Sequence, residues 1–270
     1  MISKRINKRI NKKPNEEPNE EPNKEPNNNV TNKIQYFIPT LWLIGFLTFS
    51  FHLSPCIHNY IEGKKEYKEL NLSLSKYYSG KNEFSPNQNE KLPEQYLQNL
   101  NPDYMFWLYI PGTVVNYPVA RSAEPGYYLN HTFQGTANPC GSLFVQGEVK
   151  NLNHGNTVVF GHNMKDGSMF ADLKSYRNQN FYRSHQTIQI HYKGKWQKGD
   201  IFSCQIREEE DLRCYQTDFS DSKEKQEFID QMKTSSLYDI QFHPSAKRPI
   251  ITLSTCYGRS KRMIVQAVLM

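Results

Sequence analysis

Two strand-like runs, Ile250-Ile251-Thr252-Leu253-Ser254-Thr255-Cys256 and Arg262-Met263-Ile264-Val265-Gln266, end toward each other across a short polar connection that contains Gly258. β-branched, apolar segments around such a connection predict a hairpin. In a tight hairpin Cys256 and Arg262 face each other across the open mouth. A thiol at a strand end beside a permanent cation is placed to ionise and attack a carbonyl. The plainer alternative is a buried cysteine serving as a small hydrophobe, with Arg259, Lys261 and Arg262 as an ordinary charged turn. A thiol nucleophile also needs a base or proton donor. The run Val158-Val159-Phe160-Gly161-His162-Asn163 sets one histidine, His162, where an apolar strand stops at a glycine. The other histidines considered, His131, His154, His185, His191 and His243, stand in loops or polar runs and read singly as surface residues. His162 and Cys256 are 94 positions apart, so their meeting in space does not follow from sequence.

The elements that must position these residues span much of the chain. With 270 residues, 37% of them hydrophobic, the chain can bury one good-sized core. Strands are expected at 106–110, 113–119, 142–146, 157–161, 187–192, 196–206, 249–256 and 262–269. Turn signals such as Pro111-Gly112, Asn138-Pro139 and Lys193-Gly194-Lys195 separate them. Helices are expected at 92–100, 168–176 and 222–235. Many strands with few helices predict a mostly β domain, a closed barrel or sandwich, over residues 91–270.

The N-terminal third is of different composition. Six basic residues, Lys4, Arg5, Lys8, Arg9, Lys12 and Lys13, precede near-repeats of Pro-Asn-Glu-Glu type. Residues 1–33 therefore read as a disordered tail. Residues 34–54 carry no formal charge and are mostly apolar, the length needed to cross a bilayer as one helix. Ser54-Pro55-Cys56 is a poor cleavage site, which favours an uncleaved signal anchor over a signal peptide. No lipoprotein box precedes Cys56. The preceding basic residues put the tail in the cytoplasm and the rest outside, on a single-pass protein of the cell membrane. Residues 55–90 read as a helical stalk, with Tyr60, Tyr67, Leu70, Leu74 and Tyr77 at helical spacing.

The net charge of +6 and pI near 8.9 lie partly in the tail and do not point to nucleic acid. Five cysteines without regular spacing argue against a disulfide framework and form no zinc pattern with the histidines. No metal or organic cofactor is implied.

Gly161-His162-Asn163-Met164-Lys165-Asp166-Gly167-Ser168-Met169-Phe170, together with Thr252-Leu253-Ser254-Thr255-Cys256 and Lys261-Arg262 before a terminal strand, resembles the sortases. Trp107-Leu108-Tyr109-Ile110-Pro111-Gly112-Thr113, Tyr117-Pro118-Val119, Tyr127-Tyr128-Leu129-Asn130 and a helix at 222–235 make the likeness closest to class B. The resemblance covers roughly residues 90–270. It implies an eight-stranded β-barrel cysteine transpeptidase on the outer face of a Gram-positive membrane. It also implies Cys256 as nucleophile, His162 as proton donor and acceptor, and Arg262 at the developing oxyanion, with Ser254, Thr255 and Asn163 at the substrate. The implied partners are surface proteins or pilins bearing a C-terminal sorting signal, with a motif of Asn-Pro-x-Thr or related type. A peptidoglycan precursor or a pilin lysine would be the amine acceptor. A hydrolytic cysteine protease and a catalytically inactive motif-binding protein are the rival readings. The chain departs from the pattern in one place. Its Cys-to-Arg connection is short, and Tyr257 and Gly258 stand where the family commonly has an acidic residue, which leaves an acidic helper for His162 in doubt and makes Arg259 a rival of Arg262.

Overall fold

The computed structural model describes residues 28–78, 93–146, 149, 151–152 and 155–270. The first 27 residues and His154 lie outside them. Eight strands close into one barrel: β1 (Tyr104–Tyr109), β2 (Asn116–Ser122), β3 (Leu143–Gln146), β4 (Asn156–Phe160), β5 (Thr187–Tyr192), β6 (Lys195–Glu208), β7 (Ile250–Tyr257) and β8 (Lys261–Leu269). Their order around the barrel is β1-β2-β3-β4-β7-β8-β6-β5, with β1 closing on β5. The sheet is mixed, because β2 pairs parallel to β3 and β4 parallel to β7. The second of these pairings carries functional weight. It lays Phe160 beside Ser254, so the chain leaving β4 emerges next to the Cys end of β7.

The central strands are apolar on both faces because both are covered. Leu253, Met263, Val265 and Ala267 belong to the barrel core. Ile250, Ile264 and Val268 pack outward with Phe202 against Phe228, Ile229 and Met232 of the helix at Ser222–Thr234. This explains why Met263–Leu269 reads as an apolar run, broken only by Gln266, rather than an alternating one. The Asp221 side chain caps that helix, accepting the backbone N–H groups of Lys223 and Glu224 at 2.8 Å each.

Four helices are present among the described residues: α1 (Asn28–Tyr78), α2 (Glu94–Leu100), α3 (Gln179–Ser184) and α4 (Ser222–Thr234). The helix expected at 168–176 is a 3₁₀ segment, Ala171–Arg177, followed by α3. The left-handed Met169 (φ 55°) and the close-packed Phe170 after it leave no room for a regular α-helical start at Ser168. The second strand also begins later than expected, since Thr113 turns back on Ile110 through both its backbone and its hydroxyl.

Residues 54–78 of α1 belong to the same compact unit as the barrel, while residues 28–53 belong to a separate unit. Tyr67, Leu70 and Leu74 are buried, and the Tyr67 hydroxyl donates to Gly141 O at 2.9 Å while accepting Phe133 N–H. The helical spacing of these residues thus serves packing onto the domain. The first unit presents Leu41, Trp42, Leu43, Ile44, Phe46, Leu47, Phe49 and Phe51 exposed. No helix among the described residues is long and apolar enough to cross a membrane, and the side chains of residues 34–40, 52 and 53 of the span expected at 34–54 lie outside those described.

His191 overturns the surface reading given above. It lies on β5, fully buried, with Nδ1 3.2 Å from Glu94 Oε1 of α2 and its ring edge-on to Trp196. Burial pulls its pKa below the ordinary value, against the opposing pull of Glu94. A base whose folded pKa is depressed adds stability that is intact above the unfolded pKa, about 6.5, and is lost as pH falls below it. The melting temperature should therefore decline as the pH falls below about 6.5, and His191→Gln should flatten that slope while lowering stability at pH 7. An unchanged slope in the variant would contradict this assignment.

Candidate active site

The hairpin β7–β8 sets Cys256 directly opposite Arg262, with the turn Gly258–Ser260 closed by Gly258 in the left-handed region (φ 73°). Cross-strand partners share a face of the sheet, so both side chains point to the same side. Arg262 Nη1 lies 2.7 Å from Cys256 Sγ, and Cys256 is exposed. The short connection therefore does not carry Arg259 over the thiol; the register delivers Arg262. Burial opposes the Arg262 charge, but Cys256 and Glu209 outweigh it and hold the guanidinium above its ordinary pKa.

His162 arrives from the neighbouring strand. β4 ends at Phe160, and Gly161 passes so close to the core that a Cβ there would stand 2.3 Å from Leu143 Cδ2 and 2.7 Å from Phe170 Cδ2. Only a residue without a side chain fits. Gly161→Ala should cost about 1–3 kcal/mol by overpacking and displace His162; a thermal melt with a turnover assay checks both, and unaltered values would refute the packing argument. The His162 Nε2–H donates to Leu129 O at 2.8 Å. A carbonyl can only accept, so this bond fixes the tautomer and leaves Nδ1 to exchange protons. The orienting partner of His162 is thus a backbone carbonyl, which meets the doubt over an acidic helper. Cys256, His162 and Arg262 all line one cavity of about 1200 Å³.

The three residues expected at the substrate separate. Ser254 lines the cavity, its hydroxyl paired with Tyr215 OH at 2.8 Å. Thr255 lies on the opposite face, buried, and its hydroxyl donates to Gly161 O at 2.7 Å, tying β7 to the segment that leads to His162. Asn163 donates from Nδ2 to Cys256 O at 2.9 Å. Thr255 and Asn163 therefore fasten together the segments that carry Cys256 and His162, outside the cavity lining, because strand alternation turns Thr255 inward where Cys256 points out.

Residues not found from sequence complete the walls. Leu129 and Leu212 border the cavity and are exposed, and Phe144, Phe160 and Tyr215 form an aromatic side. Tyr215 and Leu212 sit on a 3₁₀ turn, Leu212–Tyr215, held from below by a buried polar chain. Asn156 Nδ2 donates to Cys214 O and Gln216 O, and Asn156 Oδ1 accepts from Thr252, which accepts from Gln266, which accepts from Gln205. Gln205 in turn accepts from the buried Arg207, which pairs with Asp211. The carboxyl of Asp211 is held well below the usual carboxylate range, first by Arg213 and then by Arg207. Cys140, Cys204 and Cys214 are buried, and burial pushes their thiols up to about 11, 12 and 11, so among the described thiols Cys256 alone is exposed.

A closed mixed barrel that presents a thiol beside a guanidinium, with an oriented imidazole in the same cleft, defines a cysteine acyl-transfer enzyme. The Sortase domain profile matches residues 108–270, and the chain belongs to the sortase family of cysteine transpeptidases. Its relatives place it in class B. It is 34% identical to the sortase B of Staphylococcus aureus over 218 residues, 77% of this chain and 86% of that protein. It is also 34% identical to the sortase B of Listeria monocytogenes over 181 residues, 64% of this chain and 72% of that protein. The solved Staphylococcus aureus sortase B–substrate complex superposes with a TM-score of 0.65 at 30% identity, covering 76% of this chain and 94% of that one. Clostridium perfringens sortase B gives 0.62 at 32%, covering 66% and 99%.

Proposed function

We propose that the chain is a sortase that cleaves a sorting motif of Asn-Pro-x-Thr or related type after Thr and transfers the protein to an amine acceptor of the cell wall. The observation that carries this reading is the 2.7 Å approach of Arg262 Nη1 to Cys256 Sγ at the rim of a cleft that also holds His162. The Cys256 thiolate adds to the carbonyl carbon of Thr, and the electron pair moves to the oxygen, which the Arg262 guanidinium stabilises. Protonated His162 gives its proton from Nδ1 to the departing amine as the C–N bond breaks, leaving a thioester on Cys256. The acceptor amine then adds to the thioester and gives its proton back to His162. The thiolate leaves and the new amide is released.

Support for an amine acceptor comes from a relative: a sortase B solved in complex with triglycine superposes with a TM-score of 0.65 at 28% identity. The test is product analysis on a sorting peptide with and without triglycine. Transfer product with triglycine, at the expense of free acid, is expected; hydrolysis alone at every triglycine concentration would mark a protease instead. The exposed apolar row at 41–51 and the six basic residues ahead of it support seating at a membrane with the tail inside and the barrel outside. Protease added to intact protoplasts should then remove the barrel and spare an N-terminal tag, whereas a protected barrel would refute that topology.

A further inference from the structure

Glu209 follows directly on the end of β6, beside the hairpin that carries the thiol. Its carboxylate pairs with Arg262 Nη2 while Nη1 of the same guanidinium faces Cys256. Its backbone N–H donates to Ser260 O at 2.8 Å, inside the β7–β8 turn. Glu209 is thus fastened to the hairpin through main chain and side chain together, and it lines the catalytic cavity. Two other acidic groups of the same run have cations of their own: Glu208 pairs with Lys261 at 2.9 Å, and Asp211 with Arg207 and Arg213. The β6–β8 register, Arg207 opposite Arg262 and Glu208 opposite Lys261, brings this acidic run to the hairpin mouth. A part-exposed pair such as Arg262–Glu209, with side chains 29% and 49% exposed, adds little to stability. It also sets an anion near a thiolate, an electrostatic cost. Both points favour a role in the geometry of the reaction.

We propose that Glu209 is a positioning residue for Arg262, occupying one nitrogen of the guanidinium so that the other stays at the thiol and the developing oxyanion. A long flexible side chain fixed at one end of its planar fork loses less freedom on reaching the transition state. Glu209 comes from β6 and stands in space where Tyr257 and Gly258 leave the hairpin without a carboxylate. The proposal rests on Cys256 being the acyl-forming nucleophile.

The test uses the full chain in detergent and two readouts, steady-state cleavage of a sorting peptide and the pH dependence of Cys256 alkylation by iodoacetamide, read at that residue by mass mapping. Glu209→Ala should lower kcat by about tenfold or more with KM within about twofold, the pattern of an interaction felt in the transition state. Glu209→Gln, whose amide oxygen still accepts from Nη2, should recover most of that loss. It should also move the alkylation midpoint to lower pH, because Arg262 is then no longer part-neutralised. In an Arg262→Ala background Glu209→Ala should change kcat by less than about twofold, since the two act as one unit. Wild-type kcat in Glu209→Ala, a loss undiminished in the Arg262→Ala background, or an unmoved midpoint in Glu209→Gln would each overturn the role of Glu209. A wild-type enzyme that alkylates at Cys256 yet never cleaves the peptide would instead overturn the functional reading on which it rests.

Discussion

Replacing Cys256 by Ala is expected to abolish both cleavage and transfer. The chemistry needs a thiolate that can add to a carbonyl and later leave, and the alanine methyl can do neither. No other described thiol can substitute, because Cys140, Cys204 and Cys214 are enclosed and their pKa values are raised by burial. Their replacement one at a time by Ser or Ala should leave most of the activity in place. The hairpin should survive the Cys256 change, since the side chain is exposed and its strand is held by eight register pairs with β8. Melting temperature should thus stay near the wild-type value while turnover falls below a few per cent of it. Residual turnover above that level, or activity following another cysteine, would contradict the assignment.

The second large effect is at Arg262. If its guanidinium stabilises the oxyanion, the loss is felt mainly in the transition state, so kcat should fall more than KM rises. Removal of one such donor costs about 10²–10³ in rate, roughly 3–4 kcal/mol. Arg262→Lys keeps a charge but loses the fork that reaches Cys256 and Glu209 at once, so it should recover only a small part. Arg259→Ala should change the rate by less than about threefold, within the ±0.5 kcal/mol usual for surface substitutions. Single-turnover acylation rates for the three variants on one peptide decide the matter, and a crippled Arg259→Ala beside a near-normal Arg262→Ala would reverse the two roles.

Some of this arrangement is readable in the chain because it is local. A β-branched run, a turn and a second apolar run determine which residues stand opposite, and Cys256 facing Arg262 follows from that alone. His162 is marked by an apolar strand that stops at Gly161, although the reason for that glycine, its contact with Leu143 and Phe170, is tertiary. What stays hidden depends on pairings distant in sequence. The parallel register of β4 with β7 brings Phe160 beside Ser254, and no spacing rule predicts it. Glu209 looks like one carboxylate in a solvated acidic run, Glu208-Glu209-Glu210-Asp211, until the β6–β8 register brings it to the hairpin. Thr255 is misplaced for the opposite reason: alternation along β7 turns it inward, a consequence the motif Ser254-Thr255-Cys256 conceals. His191 is misread because the polar look of Gln189-Ile190-His191 gives no hint of Glu94 reaching over it.

The most direct measurement is the intact mass of the enzyme after brief incubation with an excess of an Asn-Pro-x-Thr-Gly peptide and rapid acid quenching. A covalent cysteine transpeptidase should gain the mass of the peptide through Thr less one water, carried on Cys256, and should lose it again when triglycine is added before the quench. Accumulated cleavage product with no adduct on Cys256, or an adduct that maps to another residue, would contradict the account.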